Sequence, residues 1–391
     1  MSLKITHVVP NLAARSGGPA RSVSSLALAL ANRGDKVSVL YGGTSDDVSL
    51  DSGSPVRLVP MRQGCGNFVT GVAISRFLRR SGDIDVLLIH SVWNSVTTLC
   101  AAQARSSRIP YVLCPHGMLT NVCMQRHSLR KRLFRMYDRR TVEGAIAVRF
   151  LTDAERDMSQ LACVRPGQSF VLPNGVDVCT PVPDREKGRL MWPQLGRGPA
   201  MAFMGRLHPI KNLGLQLEVL RLLLPQFPAL KWVLIGPDDG ELDALLAAAR
   251  RYGIQDHVVW LGPIFSDDRF LALAASDVLL QTSIHEAHSM SVNEALAAGV
   301  PVVATESVNF PAVARAGAGF VVPSDAAVVA DHVAKILADG ELGREMGRRG
   351  REYARTELSW DGIAKGLEDH LVGLLSSGTG REFGESFSQP T

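Results

Sequence analysis

The stretch VLLQTSIHEAHSMSVNEALAAGVPVVA, residues 278–304, indicates the fold class of this chain. It opens with a short apolar run, residues 278–281, which is typical of a buried strand. A polar loop follows, then a helical pattern that begins near Ser291 and stops at Gly299, and a second apolar run starts at Pro301. A strand, a helix and a strand in this order predict a βαβ unit, whose two strands run parallel in one sheet.

The same alternation of apolar runs and helical patterns extends along most of the chain. Repeated βα units predict parallel sheets that are covered by helices on both faces. The predicted strands are residues 5–9, 37–41, 86–89, 111–114 and 148–151 in the first half, and 200–204, 232–235, 258–261, 278–281 and 300–304 in the second.

We therefore predict an α/β protein with two Rossmann-like, doubly wound domains that face each other across a cleft. The first domain is predicted to span residues 1–180 and the second 199–375, with a proline-rich linker at 181–198. The last helix is expected to pack back on the first domain, and the Ser- and Gly-rich residues 376–391 are predicted to be disordered. Ligands of such sheets bind beyond the carboxyl ends of the strands, so the loops there are the candidate sites.

The composition indicates a globular cytoplasmic protein. Of the 391 residues, 46% are hydrophobic and 20% charged, which is enough apolar material for sizeable cores. No uninterrupted apolar run approaches the roughly 18 residues of a membrane-spanning helix, and the first ten residues are too short for a signal peptide. The six cysteines form no C-x-x-C pair, so we expect reduced thiols and no structural zinc site.

The charge is unevenly distributed. Residues 1–180 hold 22 Lys and Arg against 12 Asp and Glu, a net charge of +10, whereas the remainder carries −6. A basic half of this kind is expected to meet an anionic partner. The basic residues are not interleaved with aromatic residues and show no zinc-finger spacing, so nucleic acid is not the expected partner.

The loop and helix start within residues 283–294 form the first candidate site. Backbone N–H groups at Ser289, Met290 and Ser291 would face a ligand at the helix N-terminus, which suits a diphosphate. Glu286 precedes this helix and Glu294 lies within it, so both can point towards the same ligand. The alternative is structural, because Ser291-Val292-Asn293-Glu294 also matches a capping box.

The second candidate site follows the predicted strand 200–204. Arg206 and Lys211 in the sequence Gly-Arg-Leu-His-Pro-Ile-Lys lie at the carboxyl end of that strand. Two cations there can neutralise a pyrophosphate, the arginine as a fork and the lysine as a point charge. The alternative is that both are solvated surface charges.

These two clusters resemble retaining glycosyltransferase family 4, whose members have the GT-B fold. The resemblance rests on Gly205, Arg206 and Lys211 together with two glutamates seven residues apart, Glu286 and Glu294. It implies that the arginine and lysine bind the diphosphate of a nucleotide-sugar donor. It also implies that Glu294 binds the ribose hydroxyls and that Glu286 approaches the hydroxyls of the transferred sugar. The expected activity is transfer of a hexose to a glycan or lipid-linked acceptor with retention, without metal or cofactor.

The loop after the first glutamate departs from the family pattern. Family members usually carry a glycine and an aromatic residue there and then a second glycine, where this chain has Ala287, His288 and Ser289. A residue with a Cβ atom restricts positive φ and close backbone approach. The sequence therefore leaves the base and the sugar of the donor open.

Two segments of the first half extend the resemblance. Gly17 and Gly18 follow the first strand and open a helix, although no G-x-G-x-x-G fingerprint is present, and the resemblance implies that they face the donor phosphates. The sequence Pro-His-Gly-Met-Leu around His116 resembles a subgroup that assembles bacterial surface polysaccharides, and it implies that this histidine reaches the transferred sugar. His90 and Trp93 match a second subgroup pattern and are expected on the acceptor side. The alternative for all three is packing at strand ends.

Residues 125–142 predict a basic amphipathic helix. Arg130, Arg132 and Arg135 are among its seven basic residues, and apolar residues recur at helical spacing. Such a helix suits an anionic membrane surface or a lipid diphosphate, which would make the protein peripheral on the inner face of the cell membrane. The alternative is a solvated helix with one face in the core.

An acidic pair elsewhere is not expected to bind a metal. Asp83 and Asp85 have the D-x-D spacing of metal-dependent glycosyltransferases with another fold, but they precede a strand and so lie at the opposite edge of the sheet. Two other functions stay open. One is a sugar-nucleotide epimerase or hydrolase of the same fold, and the other is a non-catalytic binding subunit of a glycosyltransferase complex.

Overall fold

The computed structural model describes residues 2–13, 18–42, 50, 53–61, 66–80, 84–120, 139–159 and 167–377. The chain divides into two compact units. Unit 1 contains Met1–Gly175 and Trp360–Thr391, and unit 2 contains Val176–Ser359. Each unit is built on one parallel sheet, which confirms the predicted α/β class with two Rossmann-like halves.

Unit 1 has a seven-stranded sheet in the order β3-β2-β1-β4-β5-β6-β7. The strand order reverses between β1 and β4, and open α/β sheets bind ligands at such a switch point. The strands are β1 (Lys4–Val9), β2 (Lys36–Gly42), β3 (Arg57–Met61), β4 (Val86–His90), β5 (Tyr111–Cys114), β6 (Ala147–Phe150) and β7 (Ser169–Val171), and the helices between them are α1 (Gly18–Asn32), α2 (Gly66–Arg80), α3 (Ser95–Ser106) and α4 (Asp153–Met158).

Unit 2 has a six-stranded sheet in the order β10-β9-β8-β11-β12-β13, with its switch point between β8 and β11. Apolar side chains fill both faces of this sheet, with Ala202 in one core and Phe203 in the other. The strands are β8 (Ala200–Met204), β9 (Lys231–Ile235), β10 (Val258–Gly262), β11 (Val278–Gln281), β12 (Val302–Thr305) and β13 (Gly319–Val322). The helices are α5 (Arg185–Met191), α6 (Leu213–Leu223), α7 (Leu242–Arg251), α8 (Asp268–Ala274), α9 (Met290–Ala298), α10 (Ala312–Arg315), α11 (Ala326–Ala338) and α12 (Gly340–Glu357).

All ten predicted strands are present, and three further strands were not predicted. β3 carries Pro60, which lacks a backbone donor and is tolerated because β3 is an edge strand. β7 has only three residues, and β13 opens with Gly319, a residue type that is depleted in strands. These three edge strands therefore could not be predicted from the pattern of apolar residues.

The segment predicted as a linker, residues 181–198, differs from that prediction. Unit 2 begins at Val176, and the segment contains α5 and a 3₁₀ turn at Pro193–Leu195. Arg185 Nη1 lies 2.5 Å from Asp277 Oδ1, and Arg189 Nε donates to the Ala275 carbonyl at 2.6 Å. These charge-assisted bonds attach α5 to unit 2, and the proline content of the segment obscured its helix.

The final helix, α13 (Trp360–Ser376), belongs to unit 1 and packs against α1. Arg33, at the end of α1, pairs with Asp361 and Glu368 of α13, both at 2.9 Å. Of the predicted disordered tail, residues 378–391 lie outside the described residues. Among the helices of the described part, none is long and apolar enough to cross a membrane.

Candidate functional site

The loops after β8 and β11 meet at the switch point of unit 2. The Ile284 amide donates to the Ile210 carbonyl at 2.8 Å, and Thr282 Oγ1 donates to the Lys211 carbonyl at 3.2 Å. Between these loops the ammonium group of Lys211 forms an ion pair with Glu286 Oε1. The two side chains are 16% and 14% exposed, so the structure brings two predicted site residues together in a mostly buried pair.

Glu286 has further hydrogen-bond donors around the same oxygen. Ser283 Oγ donates to Oε1 at 2.8 Å, and Gln281 Nε2 lies 3.5 Å from it. A carboxylate held by an ammonium and a hydroxyl is fixed in position before any ligand arrives. Ser283 and Gln281 were not predicted as site residues, although both lie in the quoted stretch.

Arg206 lies apart from the ion pair of Lys211. Its Nη1 is 2.6 Å from Asp239 Oδ2 on the loop after β9, and the two side chains are 52% and 42% exposed. An exposed pair of this kind contributes little to stability. Arg206 can therefore exchange its partner for a ligand anion at low cost.

The helix N-terminus predicted at Ser291 lies at Met290, with Ser289 as the N-cap residue. Gln281 Nε2 donates to the Ser289 and Ser291 hydroxyls at 3.1 and 3.2 Å, and both serines are buried. The backbone N–H groups at this end of α9 are further donors that an anion can use.

The capping-box alternative does not describe Glu294. Ser291 is already inside α9, so Glu294 is not three residues after the N-cap. Instead, Glu294 Oε1 accepts from Arg269 Nε of α8 at 2.9 Å, and the two side chains are only 4% and 5% exposed. Arg269 Nη1 also donates to Asp267 Oδ1 at 2.8 Å. Arg269 was not predicted as a site residue, and its only signal in the sequence is an arginine within an apolar helix.

Three histidines lie in a row at the switch point of unit 1. His7 Nδ1 is 3.0 Å from His90 Nε2, and His90 Nδ1 is 2.9 Å from His116 Nε2. His7 and His90 are 0% and 1% exposed, whereas His116 is half-buried. His90, expected to line the acceptor side, is thus enclosed between two other histidines, and only His116 reaches the surface. His7 was not predicted, although a polar residue inside a buried strand is a signal.

All three imidazoles are neutral near pH 7. Burial lowers the pKa of His7 and of His116 to about 3, and the positive charge of Arg149 adds to the effect. Burial also holds the pKa of His90 well below its ordinary value. Arg149 is itself 1% exposed and donates to the carbonyls of Leu172 and Pro173 at 3.1 and 2.8 Å. A charged guanidinium beside the row opposes any second positive charge there.

The backbone around the row is strained. Ser91, Trp93 and His116 have φ values of 71°, 63° and 51°, in the left-handed region that non-glycine residues rarely adopt. Trp93 Nε1 donates to the Met118 carbonyl at 3.1 Å and joins the loops after β4 and β5. Strained residues of this kind cluster at functional sites, where the surrounding structure over-determines them.

Glu155 holds the loop that carries His116. Its Oε1 accepts from the Gly117 amide at 2.5 Å and its Oε2 from the Leu151 amide at 2.7 Å. The carboxyl is fully buried, and burial raises its pKa to about 7 against the opposing effect of these two bonds. The sequence Thr152-Asp-Ala-Glu155 has the spacing of a capping box, which was the available signal for this residue.

Two family models match the chain in succession. The model described as "Glycosyl transferase 4-like domain" matches residues 17–175, and the model described as "Glycosyl transferases group 1" matches residues 192–353. The chain belongs to the GT-B glycosyltransferases. The matched regions contain His116 in the first model and the Lys211–Glu286 pair in the second.

Proteins with similar sequences include two from mycobacteria. A GDP-mannose-dependent alpha-(1-6)-phosphatidylinositol monomannoside mannosyltransferase of Mycobacterium tuberculosis is 29% identical over 60% of this chain, which spans 64% of that relative, just under two thirds of its length. A phosphatidyl-myo-inositol mannosyltransferase of Mycobacterium leprae is 26% identical over 93% of this chain and 95% of its own. In fold, the chain resembles sucrose-phosphate synthase from Thermosynechococcus elongatus, with a TM-score of 0.80 at 21% identity over 96% of this chain and 100% of that one.

Several predicted residues of this GT-B glycosyltransferase fall outside the described residues. Gly17 is one of them, and so are Arg130, Arg132 and Arg135 of the predicted basic helix. Gly18 is described as the exposed first residue of α1.

Asp85 of the acidic pair lies away from the switch point of unit 1. Asp85 Oδ2 accepts from the Lys4 amide at 2.7 Å, at the start of β1, whereas the histidine row lies further along β1 and at the carboxyl ends of β4 and β5. Asp83 is outside the described residues. Within the described residues, no three His, Cys, Asp or Glu side chains are placed to hold a metal ion.

Proposed function

We propose that this protein transfers a hexose from a nucleoside-diphosphate sugar to a glycan or lipid-linked saccharide in polysaccharide or glycolipid synthesis, with retention of anomeric configuration. The observation that carries the proposal is the ion pair between Lys211 and Glu286 at the switch point of unit 2. It joins a cation suited to a leaving diphosphate to a carboxylate suited to sugar hydroxyls. The two mycobacterial relatives, both named as mannosyltransferases, support the same class of reaction.

Charge stabilisation is the main chemical task of the proposed site. As the glycosidic bond to the diphosphate breaks, negative charge develops on the leaving phosphate. Lys211, Arg206 and the N–H groups at the start of α9 are the groups proposed to stabilise it, and preorganised donors of this kind are worth several kcal/mol. This set needs no metal, so we propose metal-independent catalysis.

The remaining donor contacts are assigned by chemistry. Glu286 is proposed to accept hydrogen bonds from the hydroxyls of the transferred sugar, and Glu294 from those of the ribose. His116 is proposed to contact the transferred sugar. Retention follows if the acceptor attacks from the face that the phosphate leaves, with the departing phosphate taking the acceptor proton. No carboxylate is assigned as a covalent nucleophile.

The acceptor is proposed to be linked to a lipid at the cytoplasmic face of the membrane. The names of both mycobacterial relatives describe transfer to phosphatidylinositol lipids. The basic residues at 125–142 suit an anionic lipid surface. Trp93, half-buried beside the histidine row, is the described residue proposed for the acceptor side.

An assay of donor turnover with and without acceptor tests the proposal. Purified protein is incubated with GDP-mannose, UDP-glucose and related donors, in the presence or absence of lipid-linked saccharides, and nucleoside diphosphate release is measured. Acceptor-dependent release with an α-linked product from an α-linked donor is the expected result. Equal release without acceptor would indicate the hydrolase or epimerase alternative. Donor binding without any turnover would indicate a non-catalytic subunit.

A further inference from the structure

The row His7–His90–His116 has the geometry of two linear N–H···N hydrogen bonds. In both pairs the ring centroids are 5.2 Å apart while the nitrogens are 3.0 and 2.9 Å apart. That centroid separation is close to the N···N distance plus two ring radii, so each contact lies along the line that joins the ring centres. The N–H bond and the lone pair of an imidazole point along this line, as a strong hydrogen bond requires.

Only two arrangements of protons satisfy both contacts. The three rings are neutral, so each carries one proton, on either Nδ1 or Nε2. Each contact needs one proton between its two nitrogens. The first contact joins Nδ1 of His7 to Nε2 of His90, and the second joins Nδ1 of His90 to Nε2 of His116. All three rings must therefore be protonated at Nδ1, or all three at Nε2.

The buried end of the row selects between these two arrangements. His7 is 0% exposed, and within the described residues Nε2 of His7 has no hydrogen-bond partner. In the all-Nε2 arrangement an N–H donor is buried there without an acceptor, whereas in the all-Nδ1 arrangement only a lone pair is. Buried N–H groups without a partner are rarer in proteins than acceptors without one. The all-Nδ1 arrangement is therefore favoured.

We propose that His7 and His90 are positioning residues that keep the imidazole of His116 protonated at Nδ1, so that His116 offers the bound sugar a hydrogen-bond donor and not a base. This inference rests on the proposed function, because it takes a sugar oxygen to lie beside His116. The nitrogen that would act as a base, Nε2, already accepts from His90. The buried His7 thus determines, through His90, that the half-exposed His116 donates a hydrogen bond from Nδ1.

The tautomer of His116 is measured directly on the wild-type protein without ligand. Long-range ¹H–¹⁵N correlation spectra of ¹⁵N-histidine-labelled protein near neutral pH resolve the ten imidazoles, and a His116→Gln variant identifies the signals of His116. A protonated Nδ1 and an unprotonated Nε2 are expected. A protonated Nε2, or averaging of the two nitrogens by rapid exchange, would overturn the inference.

Two variants of His90 test whether the row sets this tautomer. His90→Asn places an amide that can still donate to Nε2 of His116, whereas His90→Phe fills the volume without any nitrogen. We expect His90→Asn to keep the Nδ1 proton and most of the turnover. His90→Phe should mix the tautomers of His116 and lower turnover about tenfold, the effect of about 1.4 kcal/mol in the barrier. An unchanged tautomer of His116 in His90→Phe would show that His90 does not control this tautomer. If either variant fails to fold, the wild-type spectrum still tests whether His116 is protonated at Nδ1.

The two proposals fail separately. The spectrum is recorded without substrate, so a protonated Nδ1 with no turnover of any nucleotide sugar would refute the proposed function alone. Acceptor-dependent turnover with a protonated Nε2 would refute the role of the row alone.

Discussion

The ammonium group of Lys211 pairs with the carboxylate of Glu286 across two loops that follow neighbouring strands of unit 2. The first residue is proposed to bind the donor diphosphate and the second the transferred sugar, so in the unliganded protein each is the partner of the other. The pair holds both groups in place. Lys211 already pairs with one anion, the carboxylate of Glu286. A diphosphate that approaches Lys211 would be the second anion beside its ammonium group.

Replacement of Lys211 by alanine should lower turnover by roughly 10²–10³, the loss typical of one preorganised electrostatic contact. Lys335→Ala is the matched control, because it breaks a Lys–Asp pair of the same unit whose side chains are 51% and 59% exposed. The control should retain wild-type turnover. Steady-state kinetics on both variants, with melting temperatures to confirm folding, make the comparison. Wild-type turnover in folded Lys211→Ala protein would remove Lys211 from the site.

The contact between Glu294 and Arg269 leads to a second prediction. Glu294→Gln replaces the buried one of the anionic partners of the Arg269 guanidinium, so we expect a loss of stability of about 1–3 kcal/mol. The variant should also lose affinity for nucleoside diphosphates, because an amide replaces one acceptor oxygen by a donor. Thermal unfolding and titration calorimetry measure the two effects.

A double variant separates the structural role of Glu294 from ligand binding. Arg269→Met/Glu294→Leu replaces both charged side chains by apolar ones, and apolar replacement of a buried pair is often neutral for stability. The double variant should therefore regain stability relative to Glu294→Gln without regaining affinity for the nucleotide. If it binds nucleoside diphosphates as the wild type does, then Glu294 serves only to hold Arg269.

Local sequence patterns predicted the elements that carry the site. Residues 278–304 follow strand and helix periods that act over a few residues, and Gly299 ends α9 in the left-handed conformation with φ 75°. Loops at strand ends were therefore placed correctly, and with them Lys211 and Glu286.

Partners across the chain could not be predicted in the same way. His7 and His90 are 83 residues apart, Gly117 and Glu155 are 38 apart, and these contacts exist only because parallel strands bring their carboxyl ends together. No local period encodes such a pairing. The same limit explains why the structural alternative for Glu294 was a capping box and not a contact with the arginine of another helix.

Chelation should leave turnover unchanged. Lys211, Arg206 and the N–H groups of α9 are proposed to supply the positive charge that other enzymes obtain from a divalent ion. Activity is measured before and after dialysis against EDTA, with the residual metal content determined by mass spectrometry. Loss of activity that returns with Mn²⁺ or Mg²⁺ would contradict metal independence.

The buried histidines predict a loss of stability in acid. A histidine whose folded pKa lies below its ordinary value of 6.5 binds protons more weakly when folded. Its contribution is complete above pH 6.5 and is lost as the pH falls towards about 3, at up to about 1.4 kcal/mol per pH unit for each group. His7→Asn should therefore reduce the slope of unfolding free energy against pH, measured by urea denaturation. An equal slope in the wild type and the variant would contradict the assignment.

Glu155 should act in the opposite direction. Its folded pKa of about 7 lies above its ordinary value of 4.5, so it binds protons more tightly when folded and destabilises the protein as the pH rises between these values. In this window it offsets part of the histidine effect. Glu155→Gln removes the offset, and the variant should show a steeper loss of stability on acidification than the wild type.

The basic segment 125–142 predicts binding to anionic membranes. Lysine and arginine near an anionic leaflet contribute about 1 kcal/mol each, so several together can hold a protein on a bilayer reversibly. Vesicles that contain anionic lipid should therefore co-sediment with the protein, and less so as salt rises, because the attraction is screened over about 8 Å at physiological ionic strength. Replacing Arg130, Arg132 and Arg135 by Gln should weaken this binding and transfer to a lipid-linked acceptor.

A second triple variant controls for net charge. Arg197, Arg250 and Arg251 are exposed residues of unit 2, and their replacement by Gln changes the charge by the same amount. If the segment at 125–142 is the membrane contact, this control should pellet with anionic vesicles as the wild type does, while the first variant stays in solution. Donor affinity should be the same in all three proteins, because the proposed diphosphate contacts, Arg206 and Lys211, are intact. Equal pelleting of both variants would show that net charge alone determines vesicle binding. No pelleting of the wild type at low salt would show that the segment 125–142 does not bind anionic membranes.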